Sequence, residues 1–93
     1  MNVYLSTAAQ RAYDKINEPD KSRLDEAFQK LSKEPPQGDI KRLEGQRDKY
    51  RVRFGGWRIL FRIDREYIDP ETNEKGALII TEIGTRGGVY KGA

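Results

Sequence analysis

Apolar and basic residues alternate along two consecutive segments of this chain, and this alternation constrains the fold more than any other feature. In the segment Tyr50–Phe54 every second residue is apolar, and Arg51 and Arg53 lie between them. The segment Trp57–Ile63 continues the pattern, with Arg58 at its first outward position. Successive side chains of a strand point to opposite faces of a sheet, so both segments are predicted strands with an apolar face. The other face is largely cationic.

The residues around these segments predict an antiparallel meander. Gly55-Gly56 separates the two strands and is typical of a tight hairpin turn. The polar stretch Asp69–Gly76 predicts a second turn, and Ala77–Ile83 a third strand. The aromatic residues of the alternating segments are predicted to lie in the core, because they share a face with the aliphatic ones.

The first forty residues carry a different period. Asn2–Leu5 is a predicted first strand, and Ser6 or Thr7 is predicted to cap a helix through Gln10–Ile16. A second helix is predicted to start after Pro19, because proline is well accommodated in a first helical turn. Pro35-Pro36 is predicted to end it. Its apolar stripe at helical spacing consists of Leu24, Ala27, Phe28 and Leu31.

This order of elements predicts the α+β class, with two N-terminal helices packed on a mainly antiparallel β-meander sheet. A chain of 93 residues is long enough for one core, so residues 1–93 are predicted to form a single domain. The sequence lacks a run of about 18–20 apolar residues and the pattern of a signal peptide. Together with the absence of cysteine, this favours a cytoplasmic protein without a membrane contact.

The charge of the chain is concentrated in the strand region. Nine of the eighteen basic residues lie between Lys41 and Arg65, against three acidic ones, a net charge of +6 in a chain of net charge +3. A cationic face suits a polyanion such as RNA, and it suits an acidic protein partner equally well. A third interpretation is an ordinary solvated face, since outward positions of antiparallel sheets are usually charged. The stretch Lys49–Ile63 contains no acid to offset its basic residues.

The composition excludes several kinds of chemistry. The chain has no cysteine and no histidine, which excludes thiolate catalysis, histidine acid–base catalysis and ordinary zinc sites. An enzyme built from this sequence would use arginine, lysine, tyrosine or carboxylates, and no metal or cofactor is predicted. Arg51 and Arg53 lie about 6.5–7 Å apart along one strand, and Arg58 lies just beyond the turn. Their guanidinium groups can converge on a phosphate, which arginine binds in bidentate fashion.

Two stretches of the sequence resemble a known family: KRLEGQRDKYRVRFGGWRILFRID, at 41–64, and EIGTRGGVYK, at 82–91. The family is the RelE/ParE superfamily of bacterial and archaeal type II toxins, and the resemblance is to its RelE-like branch in particular. The most diagnostic parts are Leu43-Glu44-Gly45, Tyr50-Arg51-Val52-Arg53, Trp57-Arg58, and Ile83-Gly84-x-Arg86 with Val89-Tyr90. The likeness extends from about residue 4 to residue 91. It implies a compact RelE-like domain.

The resemblance also implies an activity. RelE-like toxins are endoribonucleases that cut mRNA and stop translation, in the best-known members within the ribosomal A site. The ribose 2′-OH attacks the adjacent phosphorus, leaving a 2′,3′-cyclic phosphate and a 5′-OH, without a metal. The catalytic group carried over to this chain is Arg51, Arg53, Arg58, Arg86 and Tyr90. Further basic residues are predicted to bind RNA: Lys41, Arg42, Arg47, Lys49, Arg62 and Lys91.

Two departures from the family pattern affect individual residues. Some members carry lysines where this chain has Arg51 and Arg53, and arginine stays protonated at neutral pH. The two arginines are therefore predicted to act electrostatically, and the general base stays unassigned, with Tyr90 as one candidate. The tail is also shorter than in some relatives, and Gly87-Gly88 shortens the loop after Arg86.

The family resemblance leaves three functional hypotheses open. The first is a ribosome-dependent mRNA endonuclease, held inactive by a cognate antitoxin whose acidic segment wraps the basic face. The second is a ParE-like toxin that inhibits DNA gyrase through a protein–protein contact and does not cut RNA. The third is an inactive relative that only binds RNA or the ribosome. The retained arginines favour the first.

Overall fold

Two helices and five strands make up the described part of the chain, and all but one strand follow the hydrophobic periods of the sequence. The computed structural model describes residues 1–85. The elements are β1 (Asn2–Leu5), α1 (Thr7–Asp14), α2 (Asp20–Leu31), β2 (Asp39–Arg42), β3 (Lys49–Phe54), β4 (Trp57–Ile68) and β5 (Lys75–Thr85). The predicted α+β class, with two N-terminal helices on a mainly antiparallel sheet, is confirmed.

The five strands form one sheet in the order β1-β5-β4-β3-β2. Strands β2 to β5 pair antiparallel with their neighbours in sequence and form the predicted meander. Strand β1 joins the other edge parallel to β5, with Asn2 beside Ala77 and Leu5 beside Ile80. The two helices therefore connect one edge of the sheet to the other.

The turn between β3 and β4 sets the register of the strands that carry most of the basic residues. Phe54 pairs directly with Trp57 across the turn of Gly55 and Gly56. Gly55 has a φ of +59°, a conformation that glycine adopts without steric cost. The predicted two-residue turn is confirmed, and it places Arg53 directly opposite Arg58.

Both helices end earlier than their sequence patterns predict. Helix α1 begins at Thr7, where the Ser6 hydroxyl accepts a hydrogen bond from the Ala9 N–H at 3.1 Å, and it ends at Asp14 rather than Ile16. Helix α2 ends at Leu31, well before Pro35. There the Ser32 hydroxyl donates to the carbonyl of Gln29 at 2.6 Å, and the Gln37 N–H donates to the carbonyl of Lys30 at 3.0 Å. These bonds satisfy carbonyls that another helical turn would otherwise use.

Strand β2 is an element that the sequence pattern did not predict. It is four residues long and mostly charged, and Ile40 is its one apolar residue. Its pairing with β3 places Ile40 beside Val52 and Lys41 beside Arg51. Short, charged edge strands resist pairing with other chains, which accounts for the weak pattern of this segment.

The core lies between the two helices and one face of the sheet. It is formed by buried aliphatic and aromatic side chains from both layers: Ala9, Leu24, Ala27, Leu31, Val52, Ile59, Phe61, Leu78 and Ile80. Tyr50, Phe54 and Trp57 pack against it while partly exposed, which confirms their predicted side of the sheet. Neither helix described is long and apolar enough to cross a membrane.

A polar cluster fastens β1 to the turn between β4 and β5. The Tyr4 hydroxyl donates to Asp69, and the Asn2 side chain donates to the same carboxylate oxygen at 3.0 Å. The other oxygen of Asp69 accepts the backbone N–H of Glu71 at 2.8 Å and of Thr72 at 3.2 Å. The hydrogen bond from Tyr4 lowers the pKa of Asp69 below its usual 3.8, and the bond to Asp69 raises the pKa of Tyr4 to about 12.

Tyr4→Phe is expected to lower the melting temperature at neutral pH, because it removes the hydrogen bond between Tyr4 and Asp69. The lowered pKa of Asp69 means that the contact stabilises the fold above about pH 4 and that this contribution is lost on further acidification. The raised pKa of Tyr4 preserves the contact up to about pH 10 and loses it as the pH rises toward 12. Thermal unfolding of both proteins between pH 3 and 8 measures the effect.

Tyr50→Phe is the control for this comparison, because the Tyr50 hydroxyl makes no hydrogen bond within residues 1–85 and its ring stacks on Phe61. A difference between Tyr4→Phe and the wild type that persists unchanged at pH 3 would contradict the role of Asp69.

Candidate nucleic-acid interface

The helices cover one face of the sheet, and most of the basic strand residues lie on the other, which we call the open face. Val52 and Ile59 point to the helices and are buried in the core. Arg51 and Arg53 have the opposite parity on β3, as Arg58 has on β4. The predicted separation of apolar and cationic residues onto two faces is therefore present. The basic residues on the open face are Lys41, Lys49, Arg51, Arg53, Arg58 and Arg62.

Three pairs of directly opposite residues on the open face carry like charge. Arg53 pairs with Arg58 and Lys49 with Arg62 between β3 and β4. Lys41 pairs with Arg51 between β2 and β3. Opposite residues of antiparallel strands have Cβ atoms about 4.5–5.5 Å apart, and like charges at this distance destabilise the sheet.

Fewer acidic than basic side chains lie on the open face, and one of them, Asp39 on β2, is directly opposite Arg53. Arg62 on the same face lies 3.9 Å from Asp64. Both partners are substantially exposed, so this pair contributes little. Asp48 is paired instead with Arg65, at 3.2 Å. The open face is thus a concentration of positive charge that an external anion would stabilise.

Arg51 differs from its neighbours because it is buried. The exposed fraction of Arg51 is 8 %, and within residues 1–85 it is the one charged residue that is buried. Its Nη1 atom is buried without a hydrogen-bond partner in residues 1–85. A buried donor without a partner costs about 1–3 kcal/mol, and more when it is charged. The sequence places Arg51 on the correct face but does not predict this burial.

The other predicted site residues lie on the open face, elsewhere on the molecule, or outside the described residues. On the open face Arg58 is partly buried, and the exposed residues are Arg53, Lys41, Lys49 and Arg62. Arg47 lies in the loop between β2 and β3, and Arg42 pairs with Tyr50 and so lies on the helix-covered side at the sheet edge. Arg86, Tyr90 and Lys91 lie outside the described residues.

A β-bulge in β5 brings Glu82, an acid outside the predicted site residues, to the open face. Leu60 pairs with Glu82 and Phe61 with Ile80, so Thr81 is an extra residue on β5. Without this bulge, Glu82 would share the parity of Leu78 and Ile80 and point into the core. Bulges re-aim side chains in this way.

Hydrogen bonds hold the bulge in place. The Thr81 hydroxyl donates to the carbonyl of Leu60 at 3.2 Å, and the Ser6 hydroxyl donates to the carbonyl of Thr81 at 3.3 Å. The sequence does carry a signal of the bulge, because an acid stands where the alternation of Leu78 and Ile80 demands an apolar residue.

The open face can therefore bind and polarise a phosphodiester through arginine side chains. Guanidinium groups donate several hydrogen bonds to phosphate oxygens and keep their charge at any physiological pH. In the described part of the chain, no three acidic side chains lie close enough together to hold a metal ion.

Comparison with known proteins assigns this chain to a family. Residues 3–87 match the family model described as the ParE toxin of the type II toxin–antitoxin system parDE. No curated protein matches the sequence.

Two solved structures resemble the fold closely. The toxin–antitoxin complex RelBE2 from Mycobacterium tuberculosis gives a TM-score of 0.64 at 22 % identity, covering 91 % of this chain and 96 % of that one. The RelB–RelE antitoxin–toxin complex from Methanococcus jannaschii gives a TM-score of 0.65 at 16 % identity, covering 95 % of each chain. Because the family model matches most of its length, the chain belongs to the ParE toxin family, within the RelE/ParE superfamily of type II toxins that its sequence resembles.

Proposed function

We propose that this toxin is a metal-independent endoribonuclease that cleaves mRNA, in the manner of the RelE-like branch. The observation that supports this proposal is the arrangement of Arg51, Arg53 and Arg58 on the open face. Two of them are directly opposite each other, and the third is buried with a donor atom that lacks a partner in residues 1–85. A phosphate bound at this place would supply the hydrogen-bond partner that Nη1 of Arg51 lacks.

The arginines would act on the transition state of phosphodiester cleavage. The ribose 2′-oxygen forms a bond to phosphorus and loses its proton, while the bond from phosphorus to the 5′-oxygen breaks and that oxygen gains a proton. Negative charge grows on the non-bridging oxygens during this step, and fixed guanidinium groups stabilise it. The products are a 2′,3′-cyclic phosphate and a 5′-OH.

The proton transfers need groups other than Arg51 and Arg53. Arginine stays protonated, so Arg51 and Arg53 are poor candidates for the base that deprotonates the 2′-OH. Tyr90 is the candidate from the family pattern, and Arg86 would add a further positive charge.

We also propose that a cognate antitoxin binds the open face. The two structural relatives were solved as complexes with an antitoxin. An acidic segment laid across β3 and β4 would neutralise the like-charged pairs and exclude RNA at once. The same residues would then serve substrate binding and inhibition.

A second candidate function rests on the family model, whose description is the ParE toxin of parDE. In this alternative the toxin inhibits DNA gyrase through a protein–protein contact and cuts no RNA. The open face would then bind acidic protein surface. A third possibility, an inactive relative that binds RNA or the ribosome, would give salt-dependent RNA binding without cleavage.

Induced expression in bacteria separates these functions. Wild-type protein is expected to arrest growth and to create new 5′-OH ends inside coding regions. A triple alanine variant of Arg51, Arg53 and Arg58 is expected to create none. A triple alanine variant of Arg11, Lys15 and Arg23 removes the same charge from the exposed helical side and is expected to cleave as the wild type does.

Each outcome of this experiment has one meaning. Growth arrest without new RNA ends would overturn the nuclease proposal in favour of the gyrase alternative. Soluble protein that neither arrests growth nor cleaves would indicate an inactive relative. Cleavage by the open-face variant would place the reaction elsewhere on the molecule.

A further inference from the structure

A cleft of about 610 Å³ lies beside the arginines of the open face. Its apolar part is formed by Leu43 and Leu60, and Lys49 and Arg62 line the same cleft. Leu60 is the cross-strand neighbour of Arg51, and Lys49 precedes Arg51 by two residues on β3. The cleft is therefore continuous with the cationic site.

Three side chains that accept hydrogen bonds complete the cleft: Glu44, Gln46 and Glu82. Neither Glu44 nor Glu82 forms an ion pair with any residue of 1–85, although Lys49 and Arg62 line the same cleft. Their carboxylate oxygens are thus free to accept hydrogen bonds from a ligand. Carboxylates weaken the attraction of this surface for a polyanion, but they add fixed acceptors that can distinguish one ligand group from another.

We propose that this cleft binds one nucleotide of the RNA, next to the scissile phosphate, and selects bases that carry an exocyclic amino group. The inference rests on the proposed nuclease function. The cleft residues Lys49 and Arg62, with Arg51 beside them, face the phosphate side. Leu43, which is partly exposed, offers an apolar surface to the base. Glu44 and Glu82 accept hydrogen bonds from the amino group, as carboxylates do with cytosine.

The dimensions of the sheet fit this arrangement. Arg51, Leu60 and Glu82 lie in one row across β3, β4 and β5. Neighbouring strands are about 4.8 Å apart, so the backbones of Arg51 and Glu82 are separated by roughly 10 Å. A nucleotide that places its phosphate at one end of this row presents the edge of its base at the other.

The two carboxylates are held by ordered backbone. The bulge at Thr81 directs Glu82 to the open face. The loop that carries Glu44 and Gln46 is closed by a hydrogen bond from the Leu43 N–H to the carbonyl of Lys49, at 2.9 Å. A second bond joins the Gln46 N–H to the carbonyl of Leu43, at 3.3 Å. Such fixed acceptors can distinguish bases, because a wrong base leaves them unpaired.

Uracil is the base that this cleft should reject, since it has no exocyclic amino group and its single N3–H donor, which lies between two carbonyls, can serve only one of the two carboxylates. Mapping of 5′-OH ends in cells that express the wild type should find one position beside the cut where uracil is depleted by about tenfold, the size of one good base contact. In Glu82→Gln and Glu44→Gln the new amide can also donate to a uracil carbonyl. Uracil should then recover by about tenfold at that position, with the other positions unchanged.

Glu66→Gln is the matched control, because Glu66 is on β4, is highly exposed, and pairs with Lys75 away from the cleft. It should leave the base profile of the wild type intact. Identical profiles in the wild type and both cleft variants would overturn the proposal, as would an equal loss of cleavage at all sites. Unchanged profiles combined with weaker inhibition by the antitoxin would show the cleft to be a protein-binding site instead. Absence of new 5′-OH ends in the wild type would overturn the nuclease function itself.

Discussion

Arg51→Met is expected to slow RNA cleavage by at least about 100-fold and, at the same time, to raise the free energy of unfolding by about 1–3 kcal/mol. Arg51 is 8 % exposed and its Nη1 has no partner within residues 1–85. Its cross-strand neighbour on β2 is Lys41, another positive charge. Methionine keeps an unbranched chain of similar reach and removes both the desolvation cost and the repulsion.

The opposite signs of the two effects make this prediction specific. A residue that only supports the fold loses stability when it is replaced, and its activity falls as a consequence. A residue held at an energetic cost for its function gains stability and loses activity. Urea unfolding measures the free energy of unfolding, and mapping of 5′-OH ends at matched protein levels measures RNA cleavage.

Lys41→Met is the control for Arg51→Met. It removes one positive charge from the same row of the open face but from an exposed position, so its stability is expected to change by less than about 0.5 kcal/mol. A fall in the stability of Arg51→Met would indicate that the buried guanidinium supports the fold. Full cleavage by this variant would remove Arg51 from the site.

The hairpin and its two faces could be predicted from the sequence, because both depend on local signals. The alternation through Tyr50–Phe54 and Trp57–Ile63 fixes which side chains share a face, and Gly55-Gly56 fixes the turn between them. Once that register is set, Arg53 and Arg58 must lie opposite each other. The family resemblance agrees with this local interpretation and does not depend on it.

The remaining features depend on contacts between distant parts of the chain. Strand β2 has one apolar residue in four, so no period marks it, and its pairing with β3 forms it. The parallel pairing of β1 with β5 joins segments about seventy residues apart. The burial of Arg51 depends on the packing around it, so the alternating pattern does not predict it. The bulge at Thr81 is visible in the sequence, because the acid at position 82 interrupts the apolar alternation of β5. Such an interruption of a pattern can identify a functional site.

Leu24→Ala is expected to lower the free energy of unfolding by about 3–5 kcal/mol, a large part of the stability of a small domain. Leu24 lies on α2 with an exposed fraction of 0 % and belongs to the core cluster with Ile59 and Leu78. Truncation to alanine leaves a cavity that the sheet beneath cannot fill. The melting temperature should fall by more than about 10 °C.

Phe28→Ala tests the orientation of α2, because its loss of unfolding free energy can be compared with that of Leu24→Ala. Phe28 belongs to the same apolar stripe in the sequence, but its ring is partly exposed and contacts Tyr13, with ring centroids 5.9 Å apart. Its truncation is expected to cost about 1–2 kcal/mol, since only part of its area leaves water on folding. Equal losses for Leu24→Ala and Phe28→Ala would contradict the orientation of the helix. Neither residue touches the open face, so the folded fraction of each variant should cleave RNA at the wild-type rate.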